Sequence, residues 1–195
     1  MTENTRRVVV TGLGLVSPVG STVTKAWDNI KNGVSGIRKI TSFDASSFSV
    51  QISGSVVDFN ADDFITPKNQ KKMDTFIHYG IGASVMAIND AGLEISEENG
   101  DRIGISIGSG IGGLPYIEKN YGNFLQNGPR KISPFFVPSS IINMVSGNLS
   151  IMYGITGPNL SLVSACATGT HSICLLYTSD AADEGLGVDL GGRRI

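Results

Sequence analysis

The stretch SLVSACATGTHSI, residues 161–173, carries an apolar-leaning run, Leu160 to Val163, into a cysteine with only small neighbours. NLSLVSA reads as a strand, and Cys166 is expected to open the helix that follows. A strand-to-helix turn lifts a side chain clear of the sheet, as in the nucleophile elbow of hydrolases. The N–H groups and dipole of a helix N-terminus favour a thiolate there, and the backbone N–H of Cys166 can point at a bound carbonyl oxygen. Ala165, Ala167, Thr168 and Gly169 are expected to keep the approach open. A thiol so placed is suited to accept an acyl group as a thioester. Spacing alone leaves a second reading equally open, because free cysteines are commonly small buried hydrophobes.

Outward from that stretch, strands alternate with helices. Arg7 to Thr11 reads as a buried strand followed by a glycine-punctuated turn. Thr22 or Thr24 can cap a short helix through Trp27 and Ile30 that ends at Asn32-Gly33. Residues 35–65 are turn-rich, with a strand expected across 50–57. Met73, Phe76, Ile77, Gly80, Ser84, Ala87, Ile88 and Ala91 mark the clearest helix, which Gly92 ends. Small residues at 80, 83, 84, 87 and 91 imply close packing against another element. RIGISIG, residues 102–108, is a second core strand, and PYIEKNYGNFLQNG a helix with Pro115 in its first turn. Residues 138–154 read as one mostly apolar, buried helix. The alternation predicts an α/β fold, a mixed or parallel sheet with helices on its faces.

The bulk properties are those of a globular chain: 195 residues, net charge −2, 41% hydrophobic. That balance gives no general case for nucleic-acid or membrane binding. No run approaches the ~20 apolar residues of a membrane span, and MTENTRRVVVTG lacks the pattern of a signal peptide. A cytoplasmic protein with two free thiols is expected. Between Glu118 and Asp180 there is no acidic residue, and Arg130 and Lys131 are the only strong charges after Lys119. Such a segment is either deeply buried or a wall around an anionic ligand; burial is the favoured reading. Gly108 to Gly113 matches a dinucleotide fingerprint, G-x-G-x-x-G after a strand. The acid-free stretch covers the place where a ribose-binding carboxylate belongs, and Leu114-Pro115 poorly continues a phosphate-binding helix. The glycines instead suggest a backbone that approaches something closely.

SACATG resembles the active-site segment of β-ketoacyl synthases, condensing enzymes of the thiolase superfamily. The likeness extends to RRVVVTGLGLVSPVG, GSGIGG and GPRKISPFFVPSSIINMVSGNLSIMYGITGP, over about residues 5–173. GSGIGG followed by PFFVPS favours the chain-elongating synthase II branch over synthase I. The resemblance implies a thiolase-like layered α-β-α-β-α fold, of which residues 1–173 form the first, N-terminal half. It implies a decarboxylative Claisen condensation in fatty acid elongation, with no cofactor or metal, and a homodimer served by acyl carrier protein. Cys166 carries over as the nucleophile, and its N–H as half of the oxyanion hole.

The same resemblance puts Ile111 at the acyl pocket and has Phe136 close that pocket from the dimer partner; taken alone, both read as apolar core. Lys68, Lys71 and Lys72 in PKNQKKMD, with Arg130 and Lys131, match a basic docking face for the acidic carrier protein; taken alone, such a cluster is a solvated face. The family's two catalytic histidines, a lysine and a gating phenylalanine belong to its second half and are not among these 195 residues. His78 reads as structural, and His171 falls outside the catalytic set. The chain as written is therefore expected not to condense. Two other readings are a polyketide-type ketosynthase and a non-catalytic chain-length partner subunit; such subunits lose the nucleophile, and this chain keeps it. After Ile173 the pattern changes, and residues 174–195 resemble translated sequencing adapter rather than native sequence. Cys174 is accordingly given no role.

Overall fold

The computed structural model describes residues 8–176. The chain divides into two compact units, one of residues 11–94 and one of the residues up to 10 and from 95 onward.

The unit of residues 11–94 is built on two capped helices. Helix α1 (Val23–Lys31) starts where the Thr22 hydroxyl accepts the Lys25 N–H at 3.3 Å, and the chain turns away at Gly33, φ +67°. Thr22, not Thr24, is thus the cap. Arg38–Lys39 (β1) pairs antiparallel with Ile52–Ser53 (β2), so the strand expected across 50–57 shrinks to two residues. A short helix α2 (Pro67–Gln70) leads into α3 (Thr75–Asp90). Asp74 caps α3 by accepting the Phe76 N–H, and Gly92 leaves it at φ +59°. Ile77 and Ile81 are fully buried, each contributing about 1.5–3 kcal/mol.

The small residues of α3 are explained by what crosses them. A Cβ on Gly12 would meet the Ala87 carbonyl and Ala91, and one on Gly14 would meet the Ala83 carbonyl. The glycine turn after residue 11 therefore lies directly on the helix backbone, and the Leu13 N–H donates to the Asp90 carboxylate at 2.8 Å. Gly82 makes room for Phe59, which stacks on Phe64 and meets Tyr79 edge-on.

In the other unit, Ile105–Ser106 (β3) pairs in parallel with Asn159–Leu160 (β4). Helix α4 spans Leu114–Asn127 with Pro115 in its first turn. The long helix expected over 138–154 is two helices, α5 (Phe136–Ser140) and α6 (Met144–Tyr153). Ile141 breaks it with an extended backbone, ψ 144°. Continuous apolarity signals burial but carries no periodicity that would mark such a break. Val145 and Leu149 of α6 are buried, and Ser146, also buried, bonds to Ser161, whose hydroxyl donates to the Ile107 carbonyl at 2.7 Å.

Two expectations fail in this unit. Val8, Val9 and Val10 are 51–80% exposed, and among the described residues no ladder pairs with residues 8–11. A strand exists only through its neighbour, and none is present for this run. Burial does not explain the acid-free stretch either, since Tyr121, Leu125, Val137, Ile151 and Ile173 are all exposed.

Candidate active site

Cys166 sits in a single 3₁₀ turn, Ala165–Ala167, between β4 and a helix that occupies residues 168–176. The thiol is exposed, which removes the reading of a small buried hydrophobe. The helix proper starts two residues later than the sequence implied, because the 3₁₀ turn intervenes. It runs on through residue 176, past the expected boundary at 173. Most of the segment 174–195 lies outside the described residues, as does the start of RRVVVTG.

The turn is tightly specified. Ala165 has φ +50°, the one non-glycine residue with positive φ among those described. The Ala167 N–H donates to the Ser164 carbonyl at 3.1 Å. Thr168 is buried, and its hydroxyl accepts the Ser164 N–H at 2.9 Å and donates to the Ala165 carbonyl at 2.8 Å. Nδ1 of His171 lies 2.6 Å from the Ser164 hydroxyl. His171 is thereby engaged with the residue at the start of the turn. Ala165, Ala167 and Gly169 are exposed around Cys166, as expected, whereas Thr168 lies beneath the turn rather than beside the approach. Sequence reasoning took Thr168 only as a small residue; the signal it missed was a hydroxyl at the start of a helix, where such side chains bind the backbone.

The glycine loop lies against this turn. A Cβ on Gly108 would overlap the Leu162 carbonyl and the Thr168 methyl, and one on Gly110 would stand 3.3 Å from the Ala165 carbonyl. Gly112, at φ +93°, passes the Ser140 carbonyl, which also accepts the Gly113 N–H at 2.9 Å. GSGIGG thus joins the cysteine turn to α5, and its glycines serve close backbone approach. Ile111, at the tip of this loop, is 74% exposed.

Phe136 is half-buried and lines an apolar groove of about 290 Å³ with Ile117, Asn120, Tyr121, Phe124 and Ile132. Ile111 lies outside that groove. Its polar member, Asn120, accepts the Ser133 N–H and donates to the Tyr116 carbonyl, each at 2.8 Å. Arg130 and Lys131 are exposed in the turn Pro129–Lys131. Lys68 and Lys71 are exposed on and just after α2, and Lys72 is half-buried. The expected docking residues therefore fall three in one unit and two in the other. His78 touches the Gln70 carbonyl at 3.2 Å and joins α3 to α2, a structural role. Among the described residues no group of three or more His, Cys, Asp or Glu side chains could hold a metal, and no helix is long and apolar enough to cross a membrane.

Comparison with known proteins agrees with this geometry. Two relatives are named 3-oxoacyl-acyl-carrier-protein synthase 2. The one from Vibrio harveyi is 54% identical over 168 residues, covering 86% of this chain and 40% of its own length. The one from Staphylococcus aureus (strain COL) is 47% identical over 173 residues, covering 89% and 42%. Among solved structures, the ishigamide ketosynthase/chain length factor matches with TM-score 0.81 at 27% identity, covering 92% of this chain and 45% of that one. A type II polyketide acyl carrier protein in complex with its ketosynthase bound to the hexaketide matches with TM-score 0.73 at 26% identity, covering 92% and 47%. The chain spans less than half the length of the relatives it matches, and its mixed α/β structure is the N-terminal part of the ketosynthase fold. The model of the beta-ketoacyl synthase N-terminal domain matches residues 5–179, and the chain belongs to that family.

Proposed function

We infer that this chain is the nucleophile-bearing part of a β-ketoacyl-acyl-carrier-protein synthase of the synthase II type. The observation that carries the reading is the exposed Cys166 thiol on a strained strand-to-helix turn, with Gly108 and Gly110 of the glycine-rich loop packed against it. The Cys166 sulfur, as thiolate, attacks the carbonyl carbon of an acyl thioester. The carbon–sulfur bond to the carrier breaks, the electron pair goes to the carrier sulfur, and the carrier leaves as the thiol once it takes up the proton that Cys166 gave up. The Cys166 N–H, at the start of a helical turn where N–H groups lack an intrahelical partner, supplies one donor to the transient oxyanion. Malonyl thioester then loses CO₂. The electron pair of the broken C–C bond attacks the acyl carbonyl on Cys166, and the cysteine thiolate departs.

In this reading acyl carrier protein delivers both groups, Ile111 bounds the acyl site, and Phe136 reaches it from a second copy in a homodimer. Lys68, Lys71, Lys72, Arg130 and Lys131 meet the acidic carrier. The large exposed apolar surface along residues 121–173, free of acidic residues and with Arg130 and Lys131 as its strong charges, supports a cover supplied by further chain and a partner copy. The protein acts in the cytoplasm. The two histidines and the lysine that stabilise the enolate lie beyond these 195 residues, so this chain alone does not condense. Residues 174–195 are read as foreign to the native protein. Identity of 54% to a relative named 3-oxoacyl-acyl-carrier-protein synthase 2, against 26% to the ketosynthase complex of a type II polyketide system, favours fatty acid elongation over a polyketide role. Retention of Cys166 argues against a non-catalytic chain-length subunit.

The test is β-ketoacyl product formation from acyl- and malonyl-carrier protein by the full-length protein and its Cys166→Ala variant. Loss of product in the variant is expected; undiminished product would overturn the reading.

A further inference from the structure

We propose that Thr168 is a positioning residue for acyl transfer, orienting the Cys166 N–H and presenting its sulfur; this rests on the reading of Cys166 as nucleophile. Ala165 holds φ +50°, a left-handed conformation that an alanine adopts only where its surroundings over-determine it. Thr168 supplies that determination with one oxygen. Its hydroxyl accepts the Ser164 N–H at 2.9 Å and donates to the Ala165 carbonyl at 2.8 Å, so it holds the chain on both sides of the strained residue.

The second of those bonds reaches the chemistry. The Ala165 carbonyl and the Cys166 N–H belong to the same peptide group, which is planar and trans, so the two point in opposite directions. Anchoring the carbonyl on Thr168 therefore aims the Cys166 N–H away from Thr168. Thr168 is 4% exposed, lies beneath the turn and itself has no access to substrate. A β-branched side chain is stiff at χ1, which makes the anchor rigid. Its methyl fills the space left by the missing Cβ of Gly108. The first glycine of the GSGIGG loop is thus the seat of this side chain. The contact between His171 and Ser164 at 2.6 Å ties the same turn one helical turn further on.

The experiment compares Thr168→Ala with Thr168→Ser in the full-length protein. The two variants differ by one oxygen, and both lose the methyl. Transfer from a small acyl thioester onto Cys166 is followed by mass spectrometry, with kcat and KM separated and the folded fraction measured. Thr168→Ser should retain kcat within about threefold. Thr168→Ala and the isosteric Thr168→Val should lose about tenfold or more in kcat with little change in KM, because the oxyanion donor is misaimed while the substrate site is intact. If Thr168→Val does not fold, the Ala and Ser pair decides alone. Equal kcat in Ala, Ser and parent, or equal losses in Ala and Ser, would overturn the proposal by making the residue packing only. If the parent's acyl group is found on a residue other than Cys166, the reading of the nucleophile fails instead; acylated Cys166 with an unimpaired Thr168→Ala sinks only the positioning role.

Discussion

Gly108 and Thr168 compete for one place: a Cβ added to Gly108 would overlap the Thr168 methyl on one side and the Leu162 carbonyl on the other. Gly108→Ala must therefore displace either the segment between β4 and Cys166 or the side chain beneath its turn. Overpacking of this kind costs about 1–3 kcal/mol, and acylation of Cys166 should slow as well. Gly122, in the middle of α4, has nothing within 4 Å of its ideal Cβ. Gly122→Ala should stabilise by about 0.5–1 kcal/mol. Denaturant midpoints of the two variants, moving in opposite directions, check the pair.

Parts of this fold are written in local sequence signals and parts are not. The helix at Thr22 and the one ending at Gly92 were readable because caps and terminal glycines are local signals. The small face of α3 announced a close neighbour, and Gly12 and Gly14 are that neighbour. Strand lengths were not readable. Val8 to Val10 has a strand's composition, but a strand is fixed by pairing, which depends on residues far away in sequence. The break at Ile141 escaped for a related reason, since an unbroken apolar run looks alike in one helix or two. At the site, Cys166 and the purpose of the glycines were visible. Thr168 was visible as a residue, not as an anchor, because its two hydrogen bonds exist only once Ala165 takes its positive φ.

In the unit of residues 11–94, Asp58 offers a pH test. Its carboxylate lies 2.6 Å from the Lys25 ammonium and accepts the Ser21 hydroxyl at 2.6 Å. The bond from Lys25, then that from Ser21, holds its pKa down to about 2, against an ordinary value of 3.8. A depressed carboxylate pKa adds stability that is fully present above the unfolded-state value and is lost as pH falls from about 4 toward about 2. The pair is largely open to solvent, so the contribution is about 1 kcal/mol after screening. Asp58→Asn should lower the denaturation midpoint at pH 7 and converge on the parent near pH 2. A constant difference at both pH values would contradict this account.

Reversing Lys68, Lys71 and Lys72 to Glu in the full-length protein should slow association with the acidic carrier protein at low salt and flatten the salt dependence of its rate. Transfer from a small, carrier-free acyl thioester should change by less than about twofold, because these residues lie outside the cysteine turn. Equal impairment with both donors would make the cluster structural rather than a docking surface.

The central claim is that Cys166 receives the acyl chain. The direct measurement is brief incubation of the full-length protein with acyl-carrier protein, in the absence of malonyl donor, followed by proteolysis and mass mapping of the acyl group. The account predicts a single acylated peptide carrying Cys166, with the label absent in Cys166→Ala. An acyl group mapped elsewhere, or label persisting in Cys166→Ala, would contradict it.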